Sequence, residues 1–169
     1  GMRRFAQLLE LLALTTSRTR KLAALTQYFR ETPDPDRGYA LAVLTGALSF
    51  ANVKPALLKE TVLAEVDETL FAMSYDYVGD LGETIALIWP HHGAEGDLPS
   101  LTDLIELFNT TSKRELPALI GGLLTQAGIN ERWALVKLAT GGLRIGVSAR
   151  LAKTALAEMS GIELQAIEE

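Results

Sequence analysis

The sequence predicts an all-α fold, a compact multi-helix domain of roughly nine or ten helices with short connections. Three observations point there. Apolar residues recur at three- and four-residue spacing along most of the chain, while alternating strand patterns are scarce. Capping residues, prolines and glycines interrupt that pattern at intervals suited to short helices. The composition is 48% hydrophobic over 169 residues, enough for a real core.

Each element follows from its own signals. Phe5, Leu8, Leu9 and Leu12 give an opening amphipathic helix. Thr16 or Ser17 caps a second, with Leu22, Leu25 and Phe29 on its apolar side. Pro33 and Pro35 make a loop, and a third helix is expected from about Arg37 to Leu48. Pro55 suits the first position of a fourth helix carrying Leu58, Val62 and Val66. A segment around Glu68 to Ser74 leads to a turn at Gly79–Gly82, and a helix runs on to Trp89, where Pro90 stops it. After a polar loop over 91–99, Ser100-x-x-Asp103 and Ser112-x-x-Glu115 resemble capping boxes that each open a helix. Gly128 reads as the residue after a helix end and Asn130 as the next N-cap. A last helix over about Ala149 to Met159 is capped by Ser148 and turns Leu151, Ala155, Leu156 and Met159 inward; Gly161 ends it. No fixed repeat period stands out.

Charge is unevenly placed. The formal net charge is −5, yet the stretch from Glu60 to Glu106 has eleven carboxylates and no Lys or Arg, whereas Arg132 to Lys153 has five cations and no carboxylate. Such segregation suits a domain that turns one face to phosphates, or a chance arrangement of solvated charge. Cysteine is absent, which excludes disulfides and thiolate metal sites. No run approaches the ~18 apolar residues of a membrane span, and no secretory leader is visible. Adjacent His91 and His92 offer either a metal site or a solvated loop, and neighbours in sequence seldom converge on one ion. Trp89 and Trp133 lie in apolar runs and read as core.

The stretch from Thr140 to Ser148 places Gly141, Gly142 and Gly146 around Arg144. One reading is a glycine-rich turn with a surface arginine. The other is a phosphate clamp: glycines admit close backbone approach, and a fixed guanidinium stands beside the free amides of the helix that Ser148 starts. Lys137 lies seven residues after Asn130 and three before Thr140, which puts all three on a narrow polar stripe of one helix.

The wording from Glu131-Arg132-Trp133 through Lys137-Leu138-Ala139-Thr140-Gly141-Gly142-Leu143-Arg144-Ile145-Gly146 resembles the end of the N-terminal helical DNA-binding domain of ATP-dependent DNA ligases of bacterial type. Val78-Gly79-Asp80-Leu81-Gly82-Glu83 is similar to that family's Gly-Asp-Leu-Gly turn. Thr16-Ser17-Arg18-Thr19-Arg20 and Thr111-Ser112-Lys113-Arg114 are similar to its basic helix starts. The matches fall in family order from Phe5 to Gly161.

The resemblance implies a sequence-independent DNA-binding domain that holds duplex DNA, nicked in particular, through backbone and minor groove. Sealing would fall to catalytic domains of the same parent chain, in a bacterial cytosol or nucleoid, in DNA replication, repair and recombination. It implies contacts from Arg18, Arg20, Lys113, Arg114, Lys137, Gly141, Gly142, Arg144, Gly146 and Ser148. Gly142 departs from the pattern, since relatives often carry a basic residue there. For Arg18, Arg20, Lys113 and Arg114 a solvated cluster is the competing reading, and for Arg144 a structural salt bridge.

Catalytic motifs are missing. None of the six lysines sits in the Lys-x-Asp-Gly setting that a ligase adenylates, and no Walker-type phosphate loop occurs. Residues 1–169 are therefore expected to form a single, non-catalytic domain without a cofactor or metal of its own, ATP and Mg being implied for the parent. Gly1 before Met2 reads as the remnant of a cleaved tag, and residues 162–169 as the start of a link to the catalytic part. The alternative function is a helical-repeat protein-interaction domain whose acidic stretch faces a partner.

Overall fold

The computed structural model describes residues 2–50, 52–93, 96–141 and 148–161, and within them the protein is all-helical. Ten helices follow one another: α1 Arg3–Leu14, α2 Arg18–Glu31, α3 Asp36–Leu44, α4 Pro55–Leu63, α5 Glu68–Val78, α6 Leu81–Ile88, α7 Leu101–Thr110, α8 Leu116–Gln126, α9 Ile129–Thr140 and α10 Ala149–Ser160. Among the described residues no helix is long and apolar enough to cross a membrane.

Local chemistry sets most of the boundaries. The Ser17, Asp67, Asp80, Ser100 and Ser148 side chains each accept a hydrogen bond from the amide three residues on. Pro55 opens α4. Three boundaries differ from expectation. α3 ends at Leu44, because Gly46 takes a positive φ and the Gly46 and Ala47 amides turn back to the Val43 and Ala42 carbonyls. Ser112 and Glu115 form no capping box: Lys113 and Arg114 lie in the turn before α8, which starts at Leu116 with a proline in its first turn. The N-cap of α9 is Gly128, so Asn130 is already helical.

One cluster of buried side chains joins the helices, with Leu9, Leu25, Phe29, Leu58, Ile85, Leu104, Leu116 and Leu124 essentially sealed from solvent. Each such side chain contributes roughly 1.5–3 kcal/mol on leaving water. α9 lies at the centre, packed by α1 and α6 and touched by α8, while α10 packs on α2 and α3. Ala152 and Ala155 are completely buried on α10, and such small side chains allow its close approach to α2.

Tyr28 marks where α2 meets α1, its ring 6.0 Å from those of Phe5 and Phe29. Burial pushes its hydroxyl from 10.0 up to about 12; a hydrogen bond with Thr32 opposes the shift and the nearby Asp36 charge adds to it. The fold thus favours the neutral phenol. This stability is fully present below pH 10 and is lost as pH rises through about 12. Denaturant titrations are expected to show a loss of about 2–3 kcal/mol across that window. Tyr28→Phe is expected to flatten it, and an unchanged alkaline slope in that variant would refute the assignment.

Candidate nucleic-acid interface

α9 carries the polar stripe expected from its sequence. Its residues that are not buried are Ile129, Asn130, Trp133, Lys137 and Thr140, one line along a helix otherwise sunk in the core. The helix stops at Gly141, whose left-handed φ of 72° an L side chain would strain. Gly142, Arg144 and Gly146, the centre of the expected clamp, lie outside the described residues. On the far side Ser148 is exposed, and its Oγ accepts the Leu151 amide at 3.0 Å. That bond uses a lone pair, so the hydroxyl proton remains available to an anion. The first amides of α10 point out of its end by helix geometry.

The cations are less uniform than their positions in sequence suggest. Lys137 is only 18% exposed and its Nζ pairs with Asp80. Asp80 also caps α6 by accepting the Glu83 amide at 2.8 Å. Gly79 ends α5 with a left-handed φ of 77°, and Gly82 lies against Lys137 and Trp133, where an added Cβ would come within 3.3 Å of Lys137 Cε and 3.4 Å of Trp133 Cδ1. Gly79-Asp80-Leu81-Gly82 is thus a latch that holds α6 on α9. Sequence reasoning placed Lys137 on the right stripe and missed its partner, 57 residues upstream.

Arg132 is the clearest correction. Counted above with the basic end, it is 2% exposed and reaches inward. Its Nε donates to the Leu124 carbonyl at 2.6 Å, and one terminal nitrogen donates to the His91 carbonyl at 3.1 Å and to His92 Nδ1 at 3.2 Å. It ties the end of α8 to the 91–92 loop and contributes nothing to an outer face.

Arg18 and Arg20 are exposed at the start of α2, the helix against which α10 packs. Lys113 and Arg114 are exposed between α7 and α8, which pack chiefly on α3 and α4. Within the acidic stretch Asp80 pairs with Lys137, and Glu65 lies 2.8 Å from His91 Nε2. His91 and His92 serve different partners, and among the described residues no three potential ligands converge on a metal. Trp89 is buried, and its indole donates to Thr125 Oγ1; Trp133 is half-buried.

Comparison with known proteins adds two findings. A family profile described as "DNA ligase N terminus" matches residues 2–157. A protein of Koribacter versatilis (strain Ellin345), named as a probable DNA ligase, is 28% identical over 175 residues, which cover 96% of this chain and 30% of that protein. The chain therefore spans about a third of the relative's length.

Proposed function

Because the chain belongs to the family of DNA ligase N-terminal domains, we propose that it is the duplex-binding domain of an ATP-dependent DNA ligase, which holds a nick while catalytic domains elsewhere in the parent seal it. The observation that carries this reading is the partly exposed pair Lys137 and Thr140 at the end of α9, followed by the Gly141 turn and, later in the chain, the exposed Ser148 cap of α10. A stripe bearing an amine and a hydroxyl, followed by helix-start amides, suits phosphate oxygens and offers no reader of base edges. On this reading Arg18 and Arg20, and Lys113 and Arg114, supply further phosphate contacts, and Gly142, Arg144 and Gly146 complete the clamp. ATP and Mg act in the catalytic part, and this chain forms no covalent adduct with AMP.

Titration of nicked and intact duplex at several salt concentrations tests the proposal. With about five phosphate contacts, affinity is expected to fall by two to three orders of magnitude between 50 and 200 mM salt. Nicked and intact duplexes of unrelated sequence are expected to compete equally. Absence of binding at low salt, or a strong preference for one sequence, would overturn the reading.

A further inference from the structure

Beyond DNA, we propose that a groove between α1, α6 and the start of α9 docks a basic amphipathic helix of a separate partner protein. The two walls carry the same pattern. Glu10-Leu-Leu-Ala13-Leu14 ends α1, and Glu83-Thr-Ile-Ala86-Leu87 runs along α6. In each, the glutamate, alanine and leucine stand at i, i+3 and i+4, on one helix face. All six line the groove, which has a volume of about 320 Å³ and meets Trp133 on α9.

The pattern divides the work. The alanines keep the walls low, the leucines form an apolar rim, and the glutamates set the sign. Leu14 is 78% exposed, Leu87 63% and Ile129, at the end of the groove, 55%. Isolated exposed leucines are ordinary, but three large aliphatic side chains around one concavity mark a binding surface. Among the described residues, two carboxylates and no Lys or Arg line it.

Charge selects the occupant. Duplex DNA would meet two carboxylates. A second copy would bring the same two carboxylates and a further net charge of −5. The chain's own residues 162–169 carry Glu163, Glu168 and Glu169 and no cation. An incoming helix with leucine-like anchors and flanking Lys or Arg matches both the rim and the sign, its aliphatic stems lying along the Trp133 indole. Position makes simultaneous binding possible, since Ile129 and Thr140 are separated by about 16 Å of helix axis. On the reading above, the Thr140 end meets the duplex, which leaves the Ile129 end clear of it.

The test follows the two indole N–H signals of the 169-residue chain by NMR. The probe is a blocked leucine–lysine peptide of about 15 residues with its leucines on one helix face; the controls replace Lys by Glu or scatter the leucines. The Lys peptide is expected to move the Trp133 signal saturably and leave that of Trp89 in place, whereas neither control binds. Leu87→Asp, or Leu14→Asp should the first variant fold poorly, is expected to weaken binding at least tenfold, and Glu10→Lys to weaken it severalfold. Equal binding of the Glu peptide, or indifference to both rim variants, would overturn the proposal. So would a dimer in sedimentation that Leu87→Asp abolishes, or exclusion of the peptide from the longer parent by its own domains. Duplex affinity measured on the same proteins without peptide keeps the two readings apart: failure of peptide binding with intact duplex binding sinks the groove alone, and the reverse sinks the DNA reading alone.

Discussion

Arg132→Ala is expected to destabilise the protein by about 3–5 kcal/mol, the largest effect of any single charge deletion described above, because hydrogen bonds from a charged donor contribute roughly 1.5–3 kcal/mol each. The guanidinium is 2% exposed and satisfies the carbonyls of Leu124 and His91 together with His92 Nδ1. Truncation removes three hydrogen bonds from a charged donor and strands acceptors that water cannot easily reach. For a domain of this size each kcal/mol shifts the melting temperature by about 2–4 °C, so a fall of roughly 6–20 °C is expected. Arg132→Lys is expected to recover only part, because an ammonium lacks the planar fork that spans separate acceptors. Urea and thermal melts measure both. Where the variant is folded, its duplex affinity is expected to stay within about twofold of the parent's, since an inward guanidinium contributes nothing to an outer face. A melting temperature that barely moves would show the side chain to be dispensable.

Arg144→Ala is expected to do the opposite: little to stability and much to DNA affinity. If this arginine supplies a charge-assisted phosphate contact, its loss costs about 1.5–3 kcal/mol, or roughly 10- to 150-fold in the dissociation constant. The salt dependence is expected to become shallower by about one counterion. Titrations at several salt concentrations, paired with a thermal melt, measure both halves. Unchanged affinity with a large fall in melting temperature would make Arg144 a salt-bridge residue and end the clamp reading of this turn.

Much of the fold was legible because helices announce themselves locally. Ser17, Ser100 and Ser148 cap where their position before an apolar run suggests, and Pro55 opens α4 as expected. The errors arose where two signals overlapped. Asn130 is a good capping residue, but Gly128 reached the required extended backbone first. Ser112 and Glu115 have capping-box spacing, yet the proline two residues later starts α8 at Leu116 instead.

The site was less legible because charge along a chain is not charge on a surface. Arg132, Lys137 and Arg144 look alike in the basic run. The fold turns the first inward to carbonyls and joins the second to Asp80. Those partners are remote in sequence, Asp80 by 57 residues and the His91 carbonyl by 41, and no local pattern points to them. A hint was available for Arg132: it follows Gly128 by four positions in a helix whose apolar neighbours Ala134, Leu135 and Val136 had to be buried. The groove between α1 and α6 was hidden for a similar reason, since its repeated Glu-x-x-Ala-Leu pattern means nothing until both helices pack on α9.

The Asp80–Lys137 latch changes what an arriving phosphate would encounter. An uncommitted surface lysine exchanges one loose counterion for another. Here a phosphate would have to displace a tethered carboxylate, so the step is a swap of partners instead of a simple gain. Asp80 is not orphaned by that swap, because it keeps the Glu83 amide and remains a cap. On the proposed reading the lysine would be handed over and taken back while apolar packing keeps α6 on α9. Lys137 would then work as a reversible grip, firm enough to place duplex and loose enough to let the domain shift along it, leaving fixed anchorage to other cations.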